Sequence, residues 1–339
     1  MKLLLAILYG LVTRLRNWLY DVGILPRYGV NLPVVSVGNV TAGGNGKTPL
    51  CIFLARELSQ RGWRPVILSR GYGGSESGPH LVTADDSPAR VGDEPSLMTR
   101  LYGLTVVVSR DRVAGARLIE AERIGDLVIL DDGFQHRRLR RTLDIVTVNT
   151  GDEGARRSFI EGALLPLGRF REARDPAMRR VDILVLSERQ PADAALPVDP
   201  ALRALVPVRI PVVRSSLRVS GVVSADEGAP LTGRAVAAFC GIANPESFFV
   251  TLQREGYRVE GRTVYPDHHR FSEADLDVLR GAWPGLPLVC TEKDIIKLDG
   301  MDRRGIFVVR TELNVFPGDS FLRAVAEAVS VSDQNPAES

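Results

Sequence analysis

A glycine-rich stretch near the N-terminus has the residue types of a nucleotide site. Residues 41–48 read TAGGNGKT, which fits the phosphate-binding pattern G-x-x-x-x-G-K-[ST] except that Thr41 replaces the first glycine. In such a loop, backbone N–H groups surround the phosphates, the lysine reaches the outer phosphates and the hydroxyl ligates Mg²⁺. The residues expected to contact a nucleotide are Thr41, Ala42, Gly43, Gly44, Asn45, Gly46, Lys47 and Thr48.

The flanking sequence decides whether this stretch is a working loop or a turn that happens to end in Lys-Thr. The preceding run PVVSVGN reads as a strand, and residues 49–60 read as the helix that leaves the loop. A strand, a glycine turn and a helix N-terminus are the context that anion binding requires. We therefore predict a phosphate loop.

Two adjacent carboxylates, Asp131 and Asp132, follow the apolar run LVIL. A nucleotide site of this kind needs an acidic residue at a strand end to hold or orient Mg²⁺. Alone, the pair could merely cap the next turn. Together with Lys47 and Thr48 upstream in the same predicted sheet, it indicates a P-loop NTPase-type site.

Two further motifs could activate an acceptor for a transferred phosphoryl group. They are VGDEPSLM, with Asp93 and Glu94, and YPDHHRF, with His268 and His269. A carboxylate that accepts a hydroxyl proton is a standard part of kinase chemistry, and a nearby imidazole could tune it. The alternatives are a helix N-cap for Asp93 and a solvated loop for the histidines. Glu94 is also a candidate Mg²⁺ ligand, whereas adjacent histidines usually point apart and do not share a metal.

An arginine-rich segment lies between residues 134 and 180. Because the planar guanidinium binds two oxygens at once, the segment suits a phosphorylated substrate or an anionic membrane surface. Interleaved aromatic residues and a nucleic-acid-binding signature are missing from the segment, so we expect no nucleic-acid partner.

Composition indicates a folded globular protein in a reducing compartment. The chain has 339 residues, 45% of them hydrophobic and 25% charged, and its 43 basic and 41 acidic residues nearly cancel. Its three cysteines, Cys51, Cys240 and Cys290, lie far apart without metal-ligand spacing. We expect all three to be buried as small apolar side chains.

The first twenty residues predict an amphipathic helix. Their apolar run is too short to span a bilayer, and no signal-peptide cleavage site follows it. On a helical projection, Thr13, Arg16 and Asn17 oppose a stripe that includes the apolar residues Leu4, Ile7, Leu8, Leu11, Leu15, Trp18 and Leu19. Such a stripe could lie in a membrane surface or pack on the protein's own core, and we favour the membrane.

The elements that must position these residues are short Val/Ile/Leu runs that alternate with helical patterns. Such runs predict a parallel sheet flanked by helices. The pattern loosens between residues 190 and 230, where prolines accumulate. We therefore predict an N-terminal amphipathic helix (1–25), a P-loop domain (26–215), a smaller C-terminal α/β lobe (216–330) and a disordered tail (331–339).

Taken together, the motifs closely resemble one enzyme family. The segments VGNVTAGGNGKTP, SRGYGG, GDEP, LDDGFQH, LPLGRFRE and YPDHHRF, in this order after an apolar N-terminal helix, are similar to tetraacyldisaccharide 4'-kinases, the lipid A 4'-kinases of Gram-negative bacteria. The similarity covers roughly residues 1 to 325. Threonine at position 41 is usual in that family, so the altered first turn is compatible with a working loop.

The resemblance implies transfer of the γ-phosphate of ATP, with Mg²⁺, to the 4'-hydroxyl of a tetraacyldisaccharide 1-phosphate to give lipid IVA. It further implies a peripheral protein, expected to be a monomer, on the cytoplasmic face of the inner membrane. Carried over by motif, Asp93 is the base assisted by His268, and Lys47 serves the phosphates. The metal candidates are Thr48, Asp131, Asp132 and Glu94, and the substrate candidates are Arg171, Gln135 and His136. The family commonly has GPLRE where this chain has GRFRE, which leaves the contacts of Arg169 and Arg171 open.

Two alternatives from other classes also pair a P-loop with such features. A membrane-cycling ATPase of the cell-division-regulator type carries a signature lysine where this chain has Ala42, and its membrane helix is usually C-terminal. A metallochaperone GTPase would need a Cys/His metal-handling motif. ATP turnover with and without a lipid A precursor would separate these alternatives from the kinase.

Overall fold

The computed structural model describes residues 1–151, 153–188 and 198–334. Within these ranges, helices flank a single mixed sheet. The strands are β1 (Val34–Asn39), β2 (Pro65–Ser69), β3 (His80–Leu81), β4 (Val106–Val108), β5 (Leu127–Asp131), β6 (Leu143–Asn149), β7 (Ile183–Glu188), β8 (Val212–Ser224), β9 (Ala235–Cys240), β10 (Arg258–Val264), β11 (Leu288–Thr291) and β12 (Ile306–Phe316). The helices are α1 (Lys2–Asp21), α2 (Lys47–Gln60), α3 (Pro88–Val91), α4 (Asp93–Tyr102), α5 (Arg112–Ala121), α6 (Glu153–Glu161), α7 (Arg174–Met178), α8 (Pro200–Arg203), α9 (Pro245–Arg254), α10 (Glu273–Ala282), α11 (Glu292–Ile295), which a 3₁₀ turn (Ile296–Leu298) follows, and α12 (Gly318–Gln334).

The sheet order places β1 at a topological switch point. Across the described strands the order is β3-β4-β2-β5-β1-β6-β7-β8-β12-β11-β9-β10, and the pairs are parallel except β3 with β4 and β8 with β12. The chain leaves β1 towards β2 on one side, while β6 lies on the other. Ligands of open parallel sheets bind at the carboxyl ends of the strands at such a point.

The predicted parallel strands are confirmed. Their burial explains why they appear in the sequence as continuous Val/Ile/Leu runs. Each residue of β1, β2, β4 and β5 is buried, because helices cover the sheet on both faces and leave no face for polar side chains. All three cysteines are buried as well, as expected.

The predicted boundary between residues 215 and 216 falls inside β8, a strand of 13 residues. The first half of β8 pairs with β7 in parallel, and most of the strand pairs with β12 in antiparallel orientation. The sheet therefore runs through the boundary without a break. Beyond the boundary, side chains from β9, β11, α9 and α10 form hydrophobic clusters that are separate from the cluster that α2 packs into. The division into two lobes stays a prediction.

The prediction of a disordered tail from residue 331 is wrong for its first residues, because α12 continues to Gln334. The helix is anchored earlier by Phe321, Leu322, Val325 and Val329, which are buried against the sheet core. Once packed, a helix propagates at little cost per residue. Residues 335–339 of the predicted tail, and residues 189–197 of the proline-rich stretch, lie outside the described residues.

Helix α1 turns its apolar stripe away from the protein. Leu4, Leu8, Leu11 and Trp18 are all more than half exposed. The buried residues of α1 are Ala6, Gly10, Thr13 and Asn17, which form the opposite face. The alternative in which the apolar stripe packs on the protein's own core is therefore wrong. Among the described residues, no helix is long and apolar enough to cross a bilayer.

Candidate active site

The phosphate loop follows β1 and leads into α2 at the switch point. Gly46 is the N-cap of α2 with a φ of 76°, a left-handed conformation that favours glycine. A Cβ at this position would also lie 2.9 Å from Ser187 Oγ. Both the backbone conformation and the space therefore require glycine before Lys47.

Asn45 ties the loop together, a role that its place in the pattern did not indicate. Its side-chain amide donates to the carbonyls of Thr41 and Gly43, each at 2.9 Å. Its oxygen accepts from Thr41 Oγ1 at 3.1 Å and from the backbone N–H of Asn149 at 3.1 Å. Four hydrogen bonds around one buried amide hold the loop in a single shape before any nucleotide binds.

Thr41, which replaces the first glycine of the pattern, lies in a turn that hydrogen-bonds to another backbone segment, residues 169–171. Thr41 forms an antiparallel bridge with Phe170. The N–H of Ala42 donates to the carbonyl of Arg169 at 2.7 Å, and the N–H of Arg171 donates to the carbonyl of Val40 at 2.8 Å. In the described part of the chain, positive φ outside glycine occurs at Arg123, Asp132 and His268. Thr41 thus has ordinary backbone geometry, and backbone pairing with the segment around Phe170 stabilises the first turn.

The two strand-end aspartates lie in different environments. Asp131 is buried at the end of β5, where its carboxylate accepts from Ser69 Oγ at 3.0 Å. Burial, together with the nearby charges of Glu94 and Asp132, raises the pKa of Asp131 above its usual range. Asp132 is more exposed and lies 3.3 Å from Lys47 Nζ and 3.2 Å from Arg171 Nη1. Although burial opposes it, Lys47 and Arg171 lower the pKa of Asp132.

These residues fit a magnesium ion held together with a nucleotide. Asp131, Asp132 and Glu94 lie close enough for their charges to raise, together with burial, the pKa of Asp131, and carboxylate oxygens are ligands that Mg²⁺ takes. Within the described ranges, no group of three or more His, Cys, Asp or Glu side chains forms a ready-made metal cage. Mg²⁺ in phosphoryl-transfer sites takes one or two carboxylates and completes its shell with phosphate and water, and Asp131 and Asp132 could supply the carboxylates.

Asp93 and His268, which are 175 residues apart in the sequence, are in contact in the fold. His268 Nδ1 lies 2.9 Å from Asp93 Oδ2, and Lys297 Nζ lies 3.4 Å from the same oxygen. His268 has a φ of 60°, so its backbone is held in a region that non-glycine residues rarely adopt. The N-cap alternative for Asp93 is wrong, since Gly92 is the N-cap of α4 and Asp93 is its first residue.

Lysines around this pair were missed from the sequence. Lys297 is almost fully buried between Asp93 and Asp294, and Lys293 lies 3.0 Å from Glu94 Oε1. Their spacing of four residues in TEKDIIKL, which places both on one side of a helical turn, was the available signal. His269 instead stacks on Tyr265 with centroids 4.5 Å apart and lies 3.4 Å from Asp275.

The substrate candidates divide into two groups. Arg171 and Gln135 lie at the nucleotide end, where Arg171 contacts Asp132 and Gln135 Nε2 donates to the carbonyl of Asn39 at 2.8 Å. His136 instead lies among basic residues. Burial and the charge of Arg112 lower the pKa of His136 to about 4, so its imidazole is neutral at physiological pH.

A cavity of about 520 Å³ lies beside the start of α2, and Thr48 of α2, Leu97 of α4 and Lys293 are among its lining residues. The charge of Glu94, which follows Asp93, acts on the buried Asp131, so the start of α4 lies close to the strand-end aspartates. A phosphate loop beside a carboxylate that can accept a hydroxyl proton is the arrangement of a P-loop kinase, which brings a phosphoryl donor and an acceptor together. The fold and the site define the protein as an ATP-dependent P-loop kinase.

Comparison with known proteins identifies the kinase family. The sequence model described as LpxK, tetraacyldisaccharide-1-P 4'-kinase, matches residues 2–330, and the chain belongs to this family. The chain is 40% identical to the tetraacyldisaccharide 4'-kinase of Aeromonas hydrophila over 293 residues, which are 86% of this chain and 81% of the relative. It is 41% identical to that of Alkalilimnicola ehrlichii over 298 residues, which are 88% and 83% of the two chains.

A solved structure supports the same assignment. LpxK from Aquifex aeolicus, an "apo" form in complex with ATP, is similar with a TM-score of 0.78 and 30% sequence identity, over 96% of this chain and 98% of that chain. This likeness confirms the predicted fold class. The family membership rules out the membrane-cycling ATPase and the metallochaperone GTPase.

Proposed function

We propose that the protein transfers the γ-phosphate of ATP to the 4'-hydroxyl of a tetraacyldisaccharide 1-phosphate, which yields lipid IVA and ADP in lipid A biosynthesis. Phosphoryl transfer requires neutralised phosphates, an in-line hydroxyl and an acceptor for its proton. The observation that carries the proposal is the contact between Asp93 and His268 at the start of α4, where the neighbouring Glu94 acts on Asp131 of the nucleotide side. This contact supplies the proton acceptor, and the phosphate loop supplies the groups that neutralise the phosphates.

On the nucleotide side, the amides of the loop and Lys47 bind the β- and γ-phosphates. Thr48, Asp131 and Asp132 would hold Mg²⁺, with Glu94 as a further candidate ligand. When bound, the ion neutralises charge on the phosphates. Lys47 is held near its working position by Asp132 at 3.3 Å, and Arg171 contacts the same carboxylate. Binding of a nucleotide would exchange these ion pairs for contacts to phosphate oxygens, which suit lysine and the arginine fork.

On the acceptor side, Asp93 accepts the proton of the 4'-hydroxyl as the oxygen attacks phosphorus. His268 hydrogen-bonds Oδ2 of Asp93 and Lys297 forms an ion pair with the same oxygen, which would leave Oδ1 for the hydroxyl of the acceptor. Because the carboxylate is fixed by two partners, its free lone pair is oriented before the substrate arrives.

The sugar head would lie between these two sides. Arg171, Gln135 and His136 are the proposed substrate contacts, and a neutral His136 can still donate one hydrogen bond and accept another. Closure of a C-terminal lobe (216–330) over a kinase domain (26–215) would exclude water from the γ-phosphate and limit its hydrolysis.

For location, we propose that the protein binds as a monomer to the cytoplasmic face of the inner membrane. The exposed apolar stripe of α1 supports this proposal. Leu4, Leu8, Leu11 and Leu15 are between 57% and 71% exposed, and contiguous apolar surface of this kind marks a membrane or partner contact. The acylated substrate would then stay in the bilayer while its head group enters the cavity.

The direct test follows ATP consumption with and without tetraacyldisaccharide 1-phosphate in detergent micelles. The proposal expects ADP to form in step with a product that carries one additional phosphate at the 4'-position, located by mass spectrometry and NMR. ATP turnover that is equal with and without the lipid would contradict it.

A further inference from the structure

The inward face of α1 is made of small and polar residues, not of apolar ones. Ala6, Gly10, Thr13 and Asn17 follow a spacing of four, three and four residues and are all buried, the periodicity of one helix face. A Cβ at Gly10 would lie 2.8 Å from Leu164, so the helix approaches the Leu164 loop closely. A helix that served only as an anchor would need no such fitted face.

Two side chains of α1 hydrogen-bond one short segment more than 150 residues away. Tyr9 Oη donates to the carbonyl of Arg171 at 2.7 Å, and Asn17 Nδ2 donates to Glu172 Oε2 at 2.7 Å. Arg137 donates to the carbonyl of Asn17 at 2.9 Å and to Asp21 at 2.5 Å. The helix is thus joined to the protein by polar contacts at several turns.

Glu172 is the centre of this junction. The residue is only 1% exposed, and a buried carboxylate is costly unless each oxygen is paired. Arg180 and Asn17 contact Oε2, and Gln135 Nε2 donates to Oε1 at 3.2 Å. Because α1 supplies one of the three partners, removal of Asn17 would leave a buried charge less fully paired.

The same segment supports the nucleotide site. Phe170 pairs with Thr41 at the first turn of the phosphate loop, and the backbone bonds on either side of that pair are 2.7 and 2.8 Å long. The side chain of Arg171 reaches Asp132, the partner of Lys47. Contacts therefore run without a gap from α1 through residues 170–172 to the phosphate loop.

We propose that Tyr9 and Asn17 are positioning residues for phosphoryl transfer. They fix the segment from Phe170 to Glu172, which in turn fixes the first turn of the phosphate loop and the guanidinium of Arg171. Helix α1 has two separate roles, an apolar outer face that meets lipid and a polar inner face that orders the site. The inference rests on the proposed kinase reaction, since it concerns the rate of that reaction.

The test measures turnover in detergent micelles, where attachment to a bilayer is not required. Asn17→Ala is expected to lower kcat about tenfold, because a loosened segment lets Arg171 and the phosphate loop shift and misplaced groups slow the chemical step, while the KM for the lipid changes far less. Tyr9→Phe removes only a hydroxyl that bonds a backbone carbonyl, and it is expected to lower kcat by about threefold. Partition into anionic phospholipid vesicles should stay as in the unmodified protein for both variants.

Thr13→Ala is the matched control. Thr13 lies on the same buried face, but its hydroxyl bonds to the carbonyl of Gly10 within the helix at 3.1 Å. It should keep the unmodified kcat, and Asn17→Gln, which restores an amide donor, should recover part of the loss. If the unmodified protein is active and Asn17→Ala and Thr13→Ala have equal kcat, the positioning role is overturned while the proposed function stands. Unmodified protein without acceptor-dependent turnover would instead overturn the proposed function.

Discussion

The nucleotide side and the acceptor side of the site are built differently. The nucleotide side is formed by neighbouring parallel strands, with the loop held by Asn45 and with Asp131 buried at the end of β5. The acceptor side joins Asp93, at the start of α4, to His268 and Lys297 from far along the chain, and His268 is half exposed. The contrast indicates a preformed phosphate site, which suits a small soluble donor, and an acceptor site assembled from distant segments, which suits a large lipid.

The largest effect is expected from Lys47→Ala. The substitution removes the point charge that the outer phosphates need and leaves Asp132 with Arg171 as its remaining basic partner. We expect kcat/KM to fall on the order of 10³-fold or more, with weaker ATP binding as well. Isothermal titration with ATP and Mg²⁺, together with turnover, measures both. Retention of ATP affinity in this variant would mean that the nucleotide side is not organised as described.

His268→Ala should have a smaller effect, confined to the acceptor side. Loss of the 2.9 Å contact lets the Asp93 carboxylate turn, and misplacement of a reacting group costs about 10²-fold in kcat. ATP affinity should be unchanged. His269→Ala is the matched control, because that ring stacks on Tyr265 away from Asp93. Equal losses in the two variants would assign the effect to the loop as a whole.

The smallest effect on chemistry is expected from the outer face of α1. Leu8→Gln and Leu11→Gln remove exposed apolar side chains, and each should weaken partition into anionic vesicles roughly tenfold, as expected for the loss of one leucine burial. Val278→Gln, which changes an equally exposed apolar residue on α10, is the control. If it lowered partition as much, the membrane contact would not be specific to α1.

The nucleotide side was predictable from the sequence because its signals are local. A strand, a glycine turn and Lys47-Thr48 are contiguous, and Asp131 follows directly on a fully buried strand. From residue patterns alone, the acceptor side was predictable only as two separate motifs, and the pairing of Asp93 with His268 came from the family resemblance. Which residues of YPDHHRF and VGDEPSLM touch, and that Lys297 joins them, depends on tertiary packing that no local pattern records.

Strand β8 and helix α1 show two other limits of sequence reasoning. The middle of β8 is partly exposed and contains polar residues, so it lacks the continuous apolar run that marked the parallel strands, and its proline-rich flank suggested a domain boundary. For α1 the amphipathic pattern was clear, but the pattern alone left open which face meets the protein. The answer depends on Glu172, whose buried carboxylate needs the amide of Asn17.

The most direct test of the account compares kcat and ATP affinity in Asp93→Asn. The amide keeps the shape of the side chain and can still hydrogen-bond the 4'-hydroxyl, but it is not an effective base. We predict that kcat falls on the order of 10²–10⁴-fold, that ATP binding with Mg²⁺ is largely kept, and that the double variant with His268→Ala is far less than additive. A variant with nearly normal kcat, or one whose main defect is weaker binding of ATP and Mg²⁺, would contradict the assignment of Asp93 as the base.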